Sequence, residues 1–192
     1  ATRFLLYAPE TVSLLPLLYD LAGRRGQPAP LAAQYLAVTD DLARTISQGM
    51  AYSVVCSEDV PFYGPAATED HGDAYLGTTI TDGLAEACAV WDVPPAPASF
   101  KARLTSDVPA LLLSGEHDPV TPPAYAERVL TGLPRGRHLV APGQGHGVLA
   151  RGCAPRLAAR FLDDLDAPAL DAACLDDLRP APFFLRFTGP RP

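Results

Sequence analysis

Two residues carry the first chemical signal, and both sit just past short apolar runs. Val108-Pro-Ala-Leu-Leu-Leu-Ser114 leads into Gly115-Glu116-His117-Asp118, and Arg137-His-Leu-Val-Ala141 leads into Gly143-Gln144-Gly145-His146-Gly147. A carboxylate placed against an imidazole fixes which ring nitrogen holds the proton and stabilises the imidazolium formed when the ring takes up a second one. Asp118 and His146 could therefore be the acid and the base of an acyl-transfer site, with the flanking glycines leaving the ring accessible. The same residues also fit a plainer description: an Asp at the start of a helix, favoured by the helix dipole, and a His in a polar turn.

The other chemistry-bearing residues narrow the choice. Cys56, Cys88, Cys153 and Cys174 contain no C-x-x-C pair, which speaks against a zinc knuckle. An even number of cysteines allows two disulfides, in three pairings, or four thiols. Cys56 is a poor nucleophile, because it ends an apolar helical stripe beside Glu58 and Asp59, and both features oppose thiolate formation. His71 with Asp70 and Asp73, and His117 beside Asp118, lack any metal-ligand spacing such as H-E-x-x-H. Gly143-Gln-Gly-His-Gly lacks the third glycine of a dinucleotide fingerprint. No metal and no cofactor is expected. The sequence also contains no G-x-S-x-G, so none of Ser13, Ser47, Ser53, Ser57, Ser99, Ser106 and Ser114 has the flanking glycines of a hydrolase nucleophile elbow.

The elements that must position Asp118 and His146 can be read from periodicity. The almost continuous apolar run at 108–114 predicts a strand buried on both faces. Thr121 before Pro122-Pro123 reads as an N-cap, Tyr125, Ala126, Val129 and Leu130 form an apolar stripe, and Gly132 supplies a stop. A second strand at 137–141 and a last amphipathic helix with Leu157, Phe161, Leu162 and Leu165 follow. Strand, helix, strand, helix predicts a right-handed parallel crossover, in which Asp118 and His146 lie together beyond the carboxyl ends of neighbouring strands. The first half is patterned as helices instead. Leu14, Leu15, Leu18 and Leu21 share a face, with Ser13 as cap and Gly23 as stop, and one stripe runs from Leu31 through Tyr35, Val38, Leu42, Ile46 and Met50 to Val54. A short helix is expected at Thr81 to Val90, followed by a proline-rich connector at 92–99.

Composition removes whole classes of function. The 192 residues suffice for one ordinary domain or two small ones. A net charge of −7 and a sequence pI near 4.9 would repel a phosphate backbone, which excludes nucleic acid as an expected partner. No apolar run approaches the roughly 20 residues of a bilayer span, so no membrane partner is expected either.

The motifs resemble a known family. Pro109-Ala-Leu-Leu-Leu-Ser-Gly-Glu-His-Asp118-Pro-Val-Thr-Pro-Pro, then Gly143-Gln-Gly-His146-Gly, Cys153 and Cys174, is similar to the C-terminal part of α/β-hydrolases of the proline iminopeptidase and tripeptidyl aminopeptidase group. The upstream Gly49-Met-Ala-Tyr-Ser-Val-Val-Cys-Ser-Glu-Asp-Val-Pro61 resembles the segment that follows the helical lid in that group. The resemblance implies a partial α/β-hydrolase fold: a helical lid over residues 1–100, then the last strands and helices of a parallel sheet over 101–192. It implies Asp118 as triad acid and His146 as general base of a serine aminopeptidase, an esterase with the same triad being the neighbouring reading and a non-catalytic binding module the rival from another class. It also implies Glu58, ahead of Asp59, as a carboxylate for a substrate α-amine, and pairing of Cys153 with Cys174 and, less firmly, Cys56 with Cys88. Two bridges would suit a periplasmic or secreted protein, four thiols a cytoplasmic one. The expected partners are a peptide or ester substrate and, since the nucleophile and most of a hydrolase sheet are absent from these residues, either the N-terminal half of the same hydrolase or a second copy of this chain.

Overall fold

Leu111, Leu112 and Leu113 have no polar residue among them and the glycine that follows stops the run, so Ala110–Gly115 forms a strand, β1. Gly136–Ala141 forms β2, and the two pair in parallel from Ala110 opposite Gly136 to Gly115 opposite Ala141. The computed structural model describes residues 2–64 and 74–191. Preceding β1 along the chain are α1 (Thr2–Leu5), α2 (Pro9–Val12), α3 (Leu15–Tyr19), α4 (Ala29–Thr45), α5 (Gln48–Glu58) and α6 (Thr79–Val90). Helix α7 (Pro123–Leu130) makes the crossover between the strands, and α8 (Ala154–Asp164) follows β2. A helix joining two adjacent parallel strands is the unit expected from the change of hydrophobic period at residue 108.

Internal contacts divide the chain into two units, Ala1–Thr39 with Arg103–Pro192, and Asp40–Ala102. The first has two apolar clusters. Leu139 and Ala141 of β2 pack with Val148, Cys153, Ala154, Leu157 and Leu175, and Leu111 and Leu113 of β1 lie against them. Leu5, Leu15 and Leu18 form the second cluster, with Leu31 and Val38 of α4 against it. The second unit is built differently: Cys56 is its one fully buried residue among those described. The Cys56–Cys88 disulfide there links α5 to α6, and Ser57 holds the proline-rich connector by accepting the Ala96 N–H and donating its hydroxyl to the Pro94 carbonyl.

Several local expectations are corrected. Strand β1 is not buried on both faces: Leu111, Leu112 and Leu113 are only half-buried, because β1 has β2 alone beside it among the described residues and α8 covers one face. Ser13 does not cap α3, since its buried hydroxyl donates back to the Glu10 carbonyl of α2 and Leu14 stands at the cap. Gly23 does not stop that helical stretch; it lies inside a π-turn over Asp20–Arg24, and the chain turns at Gly26, whose φ of +64° glycine adopts without strain. The stripe from Leu31 to Val54 is two helices, because Ser47 has an extended ψ of 102° that separates α4 from α5.

Candidate active site

The loops after β1 and β2 must pass very close to one another for their side chains to meet, and glycine makes that possible. A Cβ on Gly115 would stand 1.9 Å from the Gly145 carbonyl oxygen and 2.6 Å from that of Gln144. The loops are then tied together: the His117 N–H donates to the Gln144 carbonyl at 2.9 Å, and the Gly143 N–H donates to Glu116 Oε2 at 2.7 Å. A third strand of chain joins them from the N-terminal end. The His146 N–H donates to the Tyr7 carbonyl at 2.8 Å, and the Tyr7 ring meets the imidazole edge-on with centroids 5.6 Å apart. Gly115→Ala is expected to force these loops apart and destabilise the unit by about 3 kcal/mol or more, since backbone rather than a movable side chain blocks the added methyl. A urea midpoint indistinguishable from that of the parent chain would show that the loops are not this tightly apposed.

Within this frame Asp118 and His146 come together, His146 Nδ1 lying 2.9 Å from Asp118 Oδ2. Asp118 is only 7% exposed, yet none of its carboxylate is left without a donor. Oδ1 accepts the backbone N–H groups of Val120 at 2.8 Å and Thr121 at 2.9 Å, while Oδ2 accepts the Thr121 hydroxyl at 3.0 Å as well as His146. Burial by itself would push the carboxyl up. The bonds from the Thr121 N–H, His146, the Val120 N–H and the Thr121 hydroxyl outweigh it and hold Asp118 below its ordinary value. An ionised carboxylate only accepts, so Nδ1 must carry the hydrogen of a neutral His146 and Nε2 keeps its lone pair. The His146 side chain is 41% exposed, so the ring is open to an outside group.

Thr121 is the residue whose part the sequence did not disclose. It does not cap α7, which has Pro122 at its cap and no side-chain cap bond; its hydroxyl serves Asp118 instead. The spacing Asp118-Pro-Val-Thr121 could have signalled this, because an Asp side chain readily accepts backbone N–H groups two and three residues on. Tyr7 lies 139 positions from His146 in the chain, and no local pattern points to it.

The remaining candidates are placed as follows. Cys153 is bonded to Cys174, and Cys56 to Cys88, so no free cysteine is present among the described residues. Such bridges fit an oxidising compartment such as the periplasm or the cell exterior. Glu58 ends α5 and Asp59 follows it, in the unit that does not contain the pair. Asp59 accepts from Lys101 Nζ at 3.2 Å, and that ammonium also lies over the Phe62 and Phe100 rings. His71 with Asp70 and Asp73 lies outside the described residues, and among those described no group of three or more metal-binding side chains occurs. Among the same residues no helix is long and apolar enough to cross a membrane. An apolar cavity of about 410 Å³ is walled by Leu6, Pro9, Val12, His117, Gly145 and Phe183, and neither Asp118 nor His146 lines it.

Comparison with known families decides the affiliation. The family model described as TAP-like protein, an α/β-hydrolase family, matches residues 73–174, more than half of the chain and the whole of the α/β portion with Asp118 and His146. The chain belongs to the TAP-like family. No curated protein and no solved structure matched it. The parallel β1–α7–β2 unit is compatible with a part of the α/β-hydrolase fold, and membership relates this TAP-like chain to hydrolases.

Proposed function

We propose that this TAP-like chain supplies the acid and the base of a serine hydrolase that releases residues from a peptide N-terminus, as in the proline iminopeptidase and tripeptidyl aminopeptidase group. The observation that supports it is the single contact of 2.9 Å between His146 Nδ1 and a saturated, ionised Asp118, on a His146 side chain that is partly exposed. In this mechanism Nε2 takes the proton of a serine hydroxyl as that oxygen attacks the scissile carbonyl. The imidazolium, stabilised by Asp118, returns the proton to the leaving amine, and water then releases the acyl group by the same cycle. The serine is supplied from outside these 192 residues, by the N-terminal half of the same hydrolase, with a second copy of the chain as the other candidate for covering the strands. Exposed apolar residues beside the two strands, Val108 at 67% and Tyr125 at 54%, are what such a neighbour would bury.

The cap role proposed for the helices of residues 1–100 falls in particular on Asp40–Ala102, which forms a unit of its own. Glu58 and Asp59 are proposed to hold the substrate α-amine, Glu58 ahead of Asp59 because Lys101 already engages the latter. The two disulfides make export to the periplasm or the medium part of the same proposal.

Fluorophosphonate labelling tests the central claim. The 192-residue polypeptide is expected to take no label, whereas the hydrolase carrying the nucleophile is expected to label once, upstream, and to lose that label in His146→Ala. Adduct formation on any of the seven serines of this chain would overturn the assignment of the nucleophile.

A further inference from the structure

Thr121 touches both members of the pair: its hydroxyl lies 3.0 Å from Asp118 Oδ2 and 3.5 Å from His146 Nδ1. We propose that Thr121 is a positioning residue that directs the His146 Nδ1–H to one acceptor direction of Asp118 Oδ2; its consequence for turnover rests on the acid–base reading above, its structural content does not. The two backbone N–H groups on Oδ1 fix the carboxylate in rotation. The Thr121 hydroxyl then takes one of the two acceptor directions on Oδ2 and leaves the other to the ring. With its own hydrogen committed to Oδ2, the hydroxyl turns a lone pair toward Nδ1. A ring with a bare Nδ1 would face two acceptors and no donor. Only the Nδ1–H form is matched to that surrounding, which leaves the lone pair on Nε2, where a base must have it.

A role limited to helix capping does not account for the arrangement, since the Thr121 side chain makes no cap bond to α7. Threonine and valine have nearly the same shape, so Thr121→Val removes the hydroxyl with little change of volume. It leaves a buried lone pair of Oδ2 unmatched and frees the carboxylate from one of its four donors.

The test is the Nδ1–H proton resonance of His146 in the 192-residue chain, whose downfield position and slow exchange report a well-directed bond to the carboxylate. The parent chain and Thr121→Ser are expected to show the Nδ1–H proton far downfield and slow to exchange, and Thr121→Val to show it moved upfield or lost to exchange with water. Thr121→Ala, which removes the hydroxyl without adding an apolar methyl, is read in the same way should the valine variant lose its fold by circular dichroism. In the hydrolase that carries the nucleophile, Thr121→Val is expected to lower kcat roughly 10²-fold with KM unchanged, as for a misplaced catalytic group, and Thr121→Ser to restore it. A folded variant without the hydroxyl that keeps the Nδ1–H proton at its parent position and exchange rate would overturn the proposal. The proton signature needs no substrate, so absence of hydrolysis in every chain would count against the acid–base reading alone.

Discussion

Replacing Asp118 by Asn is expected to lower turnover of the hydrolase about 10⁴-fold, because the amide keeps the shape of the side chain and reverses its polarity toward the ring. Two backbone N–H groups already point at Oδ1, so the amide oxygen of Asn must occupy that position. Its NH₂ group then faces Nδ1 and the Thr121 hydroxyl where an acceptor stood. His146 is forced to present a lone pair at Nδ1 and a hydrogen at Nε2, the reverse of what a base needs. Measured kcat with KM near the parent value is the check, and turnover within about tenfold of the parent would remove Asp118 from the mechanism. The same residue sets an acid limit on stability. Its carboxyl is held below the ordinary value near 3.8, so the stabilisation it gives is complete above that pH and is lost as pH falls through the lower folded value. Asp118→Asn should remove that part of the acid dependence in a chemical denaturation series.

The second large effect is expected from the Cys56–Cys88 bridge, and it should exceed that of Cys153–Cys174. Loop-closure entropy alone separates the two little: closures of 32 and 21 residues both correspond to about 3–4 kcal/mol. What differs is the surrounding structure. Cys153 lies in a cluster with Leu139, Val148, Ala154, Leu157 and Leu175, which remains to hold α8 on the strands when the bridge is cut. Cys56 is the one fully buried residue described in Asp40–Ala102, so α5 and α6 have little apolar burial to set against chain entropy. Cys56→Ala with Cys88→Ala should therefore unfold α5 and α6 while β1, β2 and α8 persist. Hydrogen exchange read by segment is the measurement. Unchanged protection across residues 48–58 and 79–90 would show that side-chain packing, not the bridge, holds those helices.

Much of the candidate site was legible because its determinants are local. The apolar runs ending at Gly115 and Ala141 announce β1 and β2, and one intervening helical stripe makes them parallel neighbours. Two loops leaving the carboxyl ends of neighbouring strands then have to bring Asp118 and His146 close, whatever the rest of the chain does. The glycine at 115 is the trace of that approach in the sequence, since a side chain there would meet the backbone of Gln144 and Gly145. The motif pattern also sufficed to point to the α/β-hydrolase relation that the family match over residues 73–174 supports.

Tertiary structure decided what depends on contacts between distant segments or on competition for a hydrogen bond. Thr121 has the sequence context of a helix cap, yet Pro122 stands at the cap of α7, and the Thr121 hydroxyl donates to the buried Asp118 carboxylate instead. Ser13 likewise gives its hydrogen to the turn behind it, in a buried position where an unpaired hydroxyl would be costly. The seat of His146 on Tyr7 and the bidentate pair of Arg151 with Glu10 each span more than 130 residues of chain, and no periodicity encodes them. The same holds for the grouping of residues 1–39 with 103–192: an apolar stripe states that a helix must bury one face, but only the folded chain states against what.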